Sequence, residues 1–302
     1  MNLSTRQLEA FLLVARLASF TRAAEHAHMT QAGLSATIRD LENQFSCRLF
    51  DRTTRSVRLT VEGRALLPFA ERITNELRAA THAVQASAAT SRSVLTIAVT
   101  PIAATTLIAG ACREFSTRMP EVEVRIKDVP QTEIQRLVET GEVDMGLTIF
   151  LKPASNIDAL QLMSFRLMCI APHGTLKIRP GKTGPEMRWQ DLPDLTLITL
   201  PSTTQLQPVI DMHLMENTDF KGQRTSYNSM QTILAMVAGG QGMSILPSMV
   251  FPACHPAQFD VAYLSHPAIR LPFFRLSRKG AQLPDSAASF IEALTVTSRS
   301  HV

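Results

Sequence analysis

The stretch Ser19–Glu42, SFTRAAEHAHMTQAGLSATIRDLE, constrains this chain more than any other. Its spacing predicts two short helices joined by a tight turn. The first holds Thr21 to His26, where Ala23 and Ala24 are small enough to let a second helix cross closely. The turn falls around His28 and Met29, and Thr30 can cap the next helix, because its hydroxyl can accept a free backbone N–H of the first turn. That second helix carries Leu34, Ile38 and Leu41 at i, i+4 and i+7, one apolar stripe toward a core. Its opposite face offers Ala32, Ser35, Ala36, Arg39 and Asn43. A small, mostly polar face on a supported helix fits a helix-turn-helix. A plain helical hairpin in an all-α core has the same local pattern, so the flanking sequence must decide.

On the N-terminal side, Thr5 to Leu17 reads as a helix with Leu8, Phe11, Leu12 and Ala15 on one face. On the other side, Phe45, Leu49 and Phe50 can close a small core. Residues 51–60, DRTTRSVRLT, then place Arg52, Arg55 and Arg58 close behind Arg48, around a polar turn between short extended pieces. This is how a wing is presented after a helix-turn-helix, and Arg suits phosphates and a narrow minor groove. A solvated basic loop is the plainer reading. Charge supports the wing. Residues 1–89 contain 11 Arg, no Lys and 8 acids, so most of the chain's net charge of +4 sits in its first third.

Thr60 caps the next predicted helix, which runs to about Ala89. Leu66, Ala70, Ile73, Leu77, Ala80 and Val84 follow one another in steps of four and three, a heptad seam. About 29 residues at ~1.5 Å each make a rod of roughly 43 Å. The small N-terminal core cannot cover such a rod, so the seam calls for a second copy of the chain. ATSRS, residues 89–93, is a polar hinge.

After the hinge the pattern becomes α/β. VLTIAV, VEVRIKDV (122–129) and VDMGLTI (143–149) read as strands. They alternate with helices reaching about Met119 and ending at Gly141. Such alternation implies parallel pairing. A second α/β unit begins near Phe165, and the last segments, IRLPFFRLSRKG and a helix near Asp285–Leu294, return to the first. Cys47, Cys112, Cys169 and Cys254 lie far apart without metal spacing and read as idle thiols of a reducing compartment. The N-terminus does not read as a signal peptide, and no apolar run approaches the ~18 residues of a membrane span. No nucleophile elbow is present, the histidines lack ligand spacing, and Gly239–Gly242 (GGQG) lacks the Lys-Ser/Thr of a phosphate loop. The sequence thus predicts no catalytic residue, no metal and no cofactor.

With these residues in view, the chain resembles the LysR-type transcriptional regulators over essentially its whole length. The resemblance is carried by Phe20-Thr21-Arg22-Ala23-Ala24, Thr30-Gln31, Leu34-Ser35, Ile38-Arg39-Asp40-Leu41-Glu42, Leu49-Phe50-Asp51-Arg52 and Leu59-Thr60 with Glu62-Gly63. Trp189-Gln190-Asp191-Leu192 and Ala238–Pro247 add to it. It implies an N-terminal all-α winged helix-turn-helix over 1–59 and a linker helix that dimerises over 60–89. It further implies a C-terminal α/β, two-lobed effector domain over 90–302, like a periplasmic binding protein. Lobe I takes about 90–164 and 268–302, and lobe II about 165–267. The implied protein is not an enzyme. It is a cytoplasmic bacterial homotetramer that binds double-stranded DNA and a small-molecule effector, with RNA polymerase as a further candidate partner and no membrane. Thr21, Arg22, Thr30, Gln31, Ala32, Ser35, Ala36, Arg39, Arg52 and Arg55 are then the expected DNA-contacting residues. Many relatives carry Pro and a cation where this chain has Ala32 and Ala36, so its base contacts differ from theirs.

The effector site follows from that implied fold. Ligands in such sheets sit at strand C-termini near helix N-termini. Thr100, Pro101 and Ile102 end the first strand and open a helix, and Ser202 and Thr203 do the same from the second lobe. Gln131, Thr148, Ile149 and Asn228 end neighbouring elements. Hydroxyls and backbone N–H groups around an apolar cleft predict a small organic acid. An enzyme built on the α/β part would need a catalytic constellation, and a plain solute-binding protein a signal peptide. Neither pattern is found.

Overall fold

Every helix of the N-terminal unit begins at a hydroxyl. Ser4 Oγ accepts the Gln7 N–H at 3.2 Å while Gln7 Oε1 accepts the Ser4 N–H at 3.0 Å. This reciprocal capping box opens α1 (Thr5–Leu17). Ser19 accepts from the Arg22 N–H and opens α2 (Phe20–His26). Thr30 accepts from the Gly33 N–H at 3.1 Å and opens α3 (Gln31–Phe45). Between α2 and α3 the chain turns at His28, which takes a positive φ of 51°.

The computed structural model describes residues 3–52, 57–88, 93–150, 154–181 and 184–298. The chain divides into two units near Ala89 and Thr90. In the first unit Leu8, Phe11 and Val14 of α1, Phe20, Ala23 and Ala24 of α2, and Leu34, Ile38 and Leu41 of α3 form one buried cluster. Leu49 and Phe50 complete it, as their sequence position suggested, and the Phe50 ring lies 5.3 Å from Phe11 and 5.8 Å from Phe20. Phe50 also begins β1 (Phe50–Arg52), which pairs antiparallel with β2 (Val57–Leu59). Glu42 Oε1 accepts the N–H groups of Leu49 and Phe50 at 2.9 and 3.3 Å, which ties the end of α3 to the start of this wing. The wing tip with Arg55, and the side chain of Arg52, lie outside the described residues.

Thr60 then opens α4 (Val61–Ala88). Its hydroxyl accepts the Gly63 N–H at 3.0 Å and donates to the Arg48 carbonyl at 2.8 Å. Here the expected seam divides. Leu66 and Ala70 pack on the core of their own unit, and Ala70 is wholly buried. They need no second copy, because the first turns of α4 lie against α1 and only later turns run past it. Ile73 and Leu77 remain 46% and 48% exposed, Ala80 is exposed, and Phe69 beside them is half exposed under the Arg72 guanidinium. The side chain of Val84 lies outside the described residues. Pro68 stands inside the helix, where it removes one rung of the backbone ladder.

In the second unit, β3 (Ser93–Val99) leads into α5 (Pro101–Ala103). That helix continues through a π-turn at Ala104–Ile108 into α6 (Ala109–Arg118). β4 (Val122–Asp128), α7 (Gln131–Glu139) and β5 (Met145–Thr148) follow. As the alternation implied, β3 pairs in parallel with both β4 and β5. Asp144 locks β3 to the start of β5: its carboxylate accepts from the Thr96 N–H at 2.7 Å and the Thr96 hydroxyl at 2.6 Å.

Next comes β6 (Ile157–Pro172), which belongs to both lobes. The sequence put a boundary near Phe165, inside this strand. Residues 157–166 pair with β13 (Arg270–Arg278), while 167–172 pair with β11 (Ser244–Pro247) and β12 (Phe259–Ser265). β7 (Arg179–Gly181) and β8 (Gly184–Arg188) extend the sheet beyond β12. β9 (Leu197–Thr199) and β10 (Arg224–Ser226) form a small parallel pair beside α8 (Leu206–Asn217) and α9 (Met230–Ala238). α9 stops at the GGQG run, as a helix end entering a strand. Gly242 has φ +151°, and a Cβ there would lie 2.1 Å from the Thr196 carbonyl oxygen. α10 (Asp285–Ser298) packs back on α6, with Phe290 edge-on to Phe115 at 5.5 Å.

Gly63 supplies the sharpest test of the first unit. A Cβ there would lie 2.2 Å from the Leu49 carbonyl oxygen, so α4 and the wing cannot both keep their places. Gly63→Ala should destabilise this unit by about 1–3 kcal/mol, the range of an overpacked contact. Chemical denaturation followed by circular dichroism measures it, and an unchanged midpoint would show that the contact relaxes freely.

Candidate DNA-binding face and effector cleft

α3 buries Leu34, Ile38 and Leu41, and so turns the rest of its surface outward. Gln31, Ala32, Ala36 and Arg39 are exposed, and Ser35 is half-buried among them. Arg39 Nε donates to the Ser35 carbonyl at 3.3 Å, which holds the guanidinium along the helix. Thr30, exposed just before the helix, spends its hydroxyl on capping α3. Thr21 and Arg22 are exposed on α2, where Arg22 Nη2 donates to the Leu17 carbonyl at 2.5 Å. The expected contact residues of α2 and α3 are thus accessible: Thr21 and Arg22 on α2, and on α3 four exposed residues with Ser35 half-buried. Arg48 and Arg58, exposed at either end of the wing, were not among the expected contacts although the charge pattern named them.

The second candidate site lies where strand C-termini meet helix N-termini in the α/β unit. Thr100 ends β3 in an extended conformation and its side chain makes no capping bond, so the hydroxyl is not spent on α5. Pro101 is the first helical residue and exposed, while Ile102 and Ile149 are buried walls. Thr148 is buried and donates to the Phe150 carbonyl at 3.0 Å. From lobe II, Ser202 and Thr203 are exposed in the turn after β9, but the capping of α8 falls to Thr204. Its hydroxyl accepts the Gln207 N–H at 3.3 Å and donates to the Pro201 carbonyl at 2.9 Å. Asn228 is exposed beside Ser229, which caps α9 by accepting from the Thr232 N–H.

Gln131 makes a contact that the sequence did not reveal. Its Nε2 donates to Gln205 Oε1 at 3.1 Å, from the first residue of α7 in lobe I to the residue before α8 in lobe II. Both amides line a cavity of about 180 Å³ together with Gln135, Thr148 and Phe150. Of the nine expected effector residues only Gln131 and Thr148 line that cavity. Gln205 was missed because an amide next to two threonines reads as turn filler. A wider depression of about 800 Å³ lies at the other end of α8, lined by Met215, Asn217 and Phe220 with Asp194, Glu216 and Asp219. Three carboxylates and Lys221 thus surround the C-terminal end of that helix.

The thiols offer no alternative chemistry. Burial pushes Cys169 and Cys254 up to about 12 and raises Cys112, so none of these three is a thiolate at neutral pH. Among the described residues no group of three or more His, Cys, Asp or Glu side chains could hold a metal ion, and no helix is long and apolar enough to cross a membrane.

Comparison with known proteins covers both regions of the chain. A model described as "Bacterial regulatory helix-turn-helix protein, lysR family" matches residues 5–64, and one described as "LysR substrate binding domain" matches residues 88–297. The HTH-type transcriptional regulator YfeR of Shigella flexneri is 28% identical over 289 residues, which are 95% of this chain and 92% of that protein. A full-length OxyR point variant from Pseudomonas aeruginosa shares the fold at a TM-score of 0.63 and 20% identity, covering 99% of this chain and 96% of its own. Full-length CbnR, solved in complex with its target DNA, does so at 0.55 and 23%, covering 98% and 100%.

Proposed function

Since this chain belongs to the LysR family of transcriptional regulators, we propose that it reads an inverted-repeat operator with α3 and answers to a small organic acid in the cleft of its C-terminal unit. Residues 1–59 are the reading head, 60–89 the dimerising linker and 90–302 the sensor. The observation that carries the first half is the outward face of α3. Gln31 and Arg39 can reach base edges there, and Ala32 and Ala36 offer methyl surface of the kind that meets thymine. The basic wing, Arg52 and Arg55 included, supplies backbone or minor-groove contacts. Two copies joined along Ile73, Leu77 and Ala80 present two such heads to a symmetric site, and pairing of dimers gives the tetramer. RNA polymerase is the partner through which a DNA-bound copy acts on transcription in the cytoplasm.

The second half rests on the cleft. The first turns of α5, α7, α8 and α9 open beside the ends of β3, β4, β9 and β10, so partial positive charge collects there. The side chains at these positions are neutral hydroxyls and amides: Thr100, Gln131, Ser202, Thr203 and Asn228. Ile102 and Ile149 give apolar surface.

Three measurements test this reading. Binding to duplex DNA should weaken with salt, and Arg52→Ala and Arg55→Ala should each lower affinity and flatten the log–log salt slope by up to about one unit where a phosphate contact is lost. Unchanged affinity in both variants would take the wing out of the interface. Leu77→Asp places a charge in the proposed seam, where desolvation is costly. Sedimentation should then report a smaller assembly and operator binding should fall, whereas wild-type mass would refute the seam. Finally, a panel of small mono- and dicarboxylic acids should contain one that raises the unfolding temperature. Thr100→Val should weaken that acid by about 0.5–1.5 kcal/mol while DNA binding persists. A hit with undiminished affinity for the valine variant would place it elsewhere.

A further inference from the structure

We propose that the Gln131–Gln205 amide pair is a clasp that holds the two lobes together before any effector arrives. The bond spans the cleft: Gln131 Nε2 donates to Gln205 Oε1 at 3.1 Å, between residues 74 positions apart in the chain. Each partner is placed for this and spared other work. Gln131 is the first residue of α7, directly after Pro130, so its side chain starts at the lobe I rim. Along the same helix Gln135 Nε2 donates to Glu139 Oε1 at 2.9 Å and Arg136 Nη2 to Glu133 Oε2 at 3.1 Å.

On the lobe II side, Gln205 precedes α8 with helical backbone angles and makes no capping bond, because Thr204 caps the Gln207 N–H instead. Gln207 in turn is buried, accepting the Leu200 N–H at 3.0 Å and donating to Asp211 at 3.0 Å. Of the two glutamines at this helix start, one serves the lobe's interior and the other reaches across.

The covalent links between lobes are few. The chain crosses within β6 and again between β12 and β13, through the turn that holds His266 and Pro267. The lobes also meet through a shared hydrophobic cluster, where residues 248–253 pack on 101–108. Added to that contact, one partly buried amide bond shifts the ratio of closed to open forms by about two- to tenfold. A ligand that needs the closed form binds more tightly by the factor by which the closed fraction rises. This consequence rests on the cleft being the effector site, but the clasp itself does not.

Hydrogen–deuterium exchange on the full-length protein, with no ligand added, tests it. Gln131→Leu should speed exchange in the lobe II segment 200–208, and Gln205→Leu should do so in the lobe I segment 129–136, each by about two- to tenfold. Gln135→Leu, one turn along α7, should leave segment 200–208 at the wild-type rate. Gln131→Glu should restore protection, because its carboxylate can accept from the Gln205 amide once that amide flips. Segments in β3 and β13 report whether the fold is intact. A leucine variant that disturbs them is replaced by Gln131→Asn, one methylene too short to cross. Wild-type exchange in the opposite lobe for both clasp variants overturns the proposal, as does the same acceleration from Gln135→Leu. An acid panel without a hit would sink the effector reading and leave the exchange result standing.

Discussion

β6 is the constraint on which the sensor unit depends. Sixteen residues without a break run from the sheet of one lobe into that of the other, and the buried side chains of both halves belong to one continuous hydrophobic cluster. The half from Ile157 is bounded by β13 and mostly open to solvent, and the half from Leu167 is buried between β11 and β12. Because the backbone ladder runs through both halves, the lobes share a sheet and cannot slip in register against one another. The two halves meet at the middle of the strand. There Arg166 is buried: its N–H is held by Ser248 Oγ at 3.1 Å, and its guanidinium lies over the Tyr263 ring and bonds Glu186. The guanidinium, stacked on Tyr263 of β12 and paired with Glu186 of β8, ties the middle of β6 to both strands.

Much of this was legible in the sequence. Thr30 and Thr60 cap the helices they were expected to cap, and the Leu34–Ile38–Leu41 stripe is buried as its spacing demands. These signals are local, since a cap or a helical stripe is complete within a few residues. The parallel pairing of β3 with β4 and β5 was also legible, because alternating strands and helices leave few other topologies. The shared strand was not. Its first half lacks the alternation of a half-buried strand, with Asp158, Ala159, Leu160 and Gln161 all exposed, and its second half is apolar throughout. Read in sequence, one element looks like a loop and then a strand. β8, with Pro185, Glu186 and Arg188 in five residues, carries no strand pattern at all; it is held by pairing with β12.

The candidate sites show the same division. The outward face of α3 is fixed by periodicity alone, so its residues could be named in advance. The linker seam was half legible. The heptad spacing is real, but whether a given position faces its own core depends on where α1 ends beneath it, which no local pattern records. The cleft was least legible. Strand ends and helix starts were found, but which of them meet depends on how two lobes close, and the Gln131–Gln205 contact joins segments with no sequence relation.

Pro68 gives the linker a mechanical character of its own. It interrupts the ladder of α4 once, two residues before Ala70 sits down on the reading head and five before Ile73 emerges from it. A helix bends most easily where a rung is absent. Here, however, Leu66 and Ala70 pack on the head from either side of Pro68, so the weak rung is splinted by the core, and the described shaft beyond it carries no further proline. A cyclic side chain that would weaken a free helix is thus placed where neighbouring side chains hold the backbone in line for it.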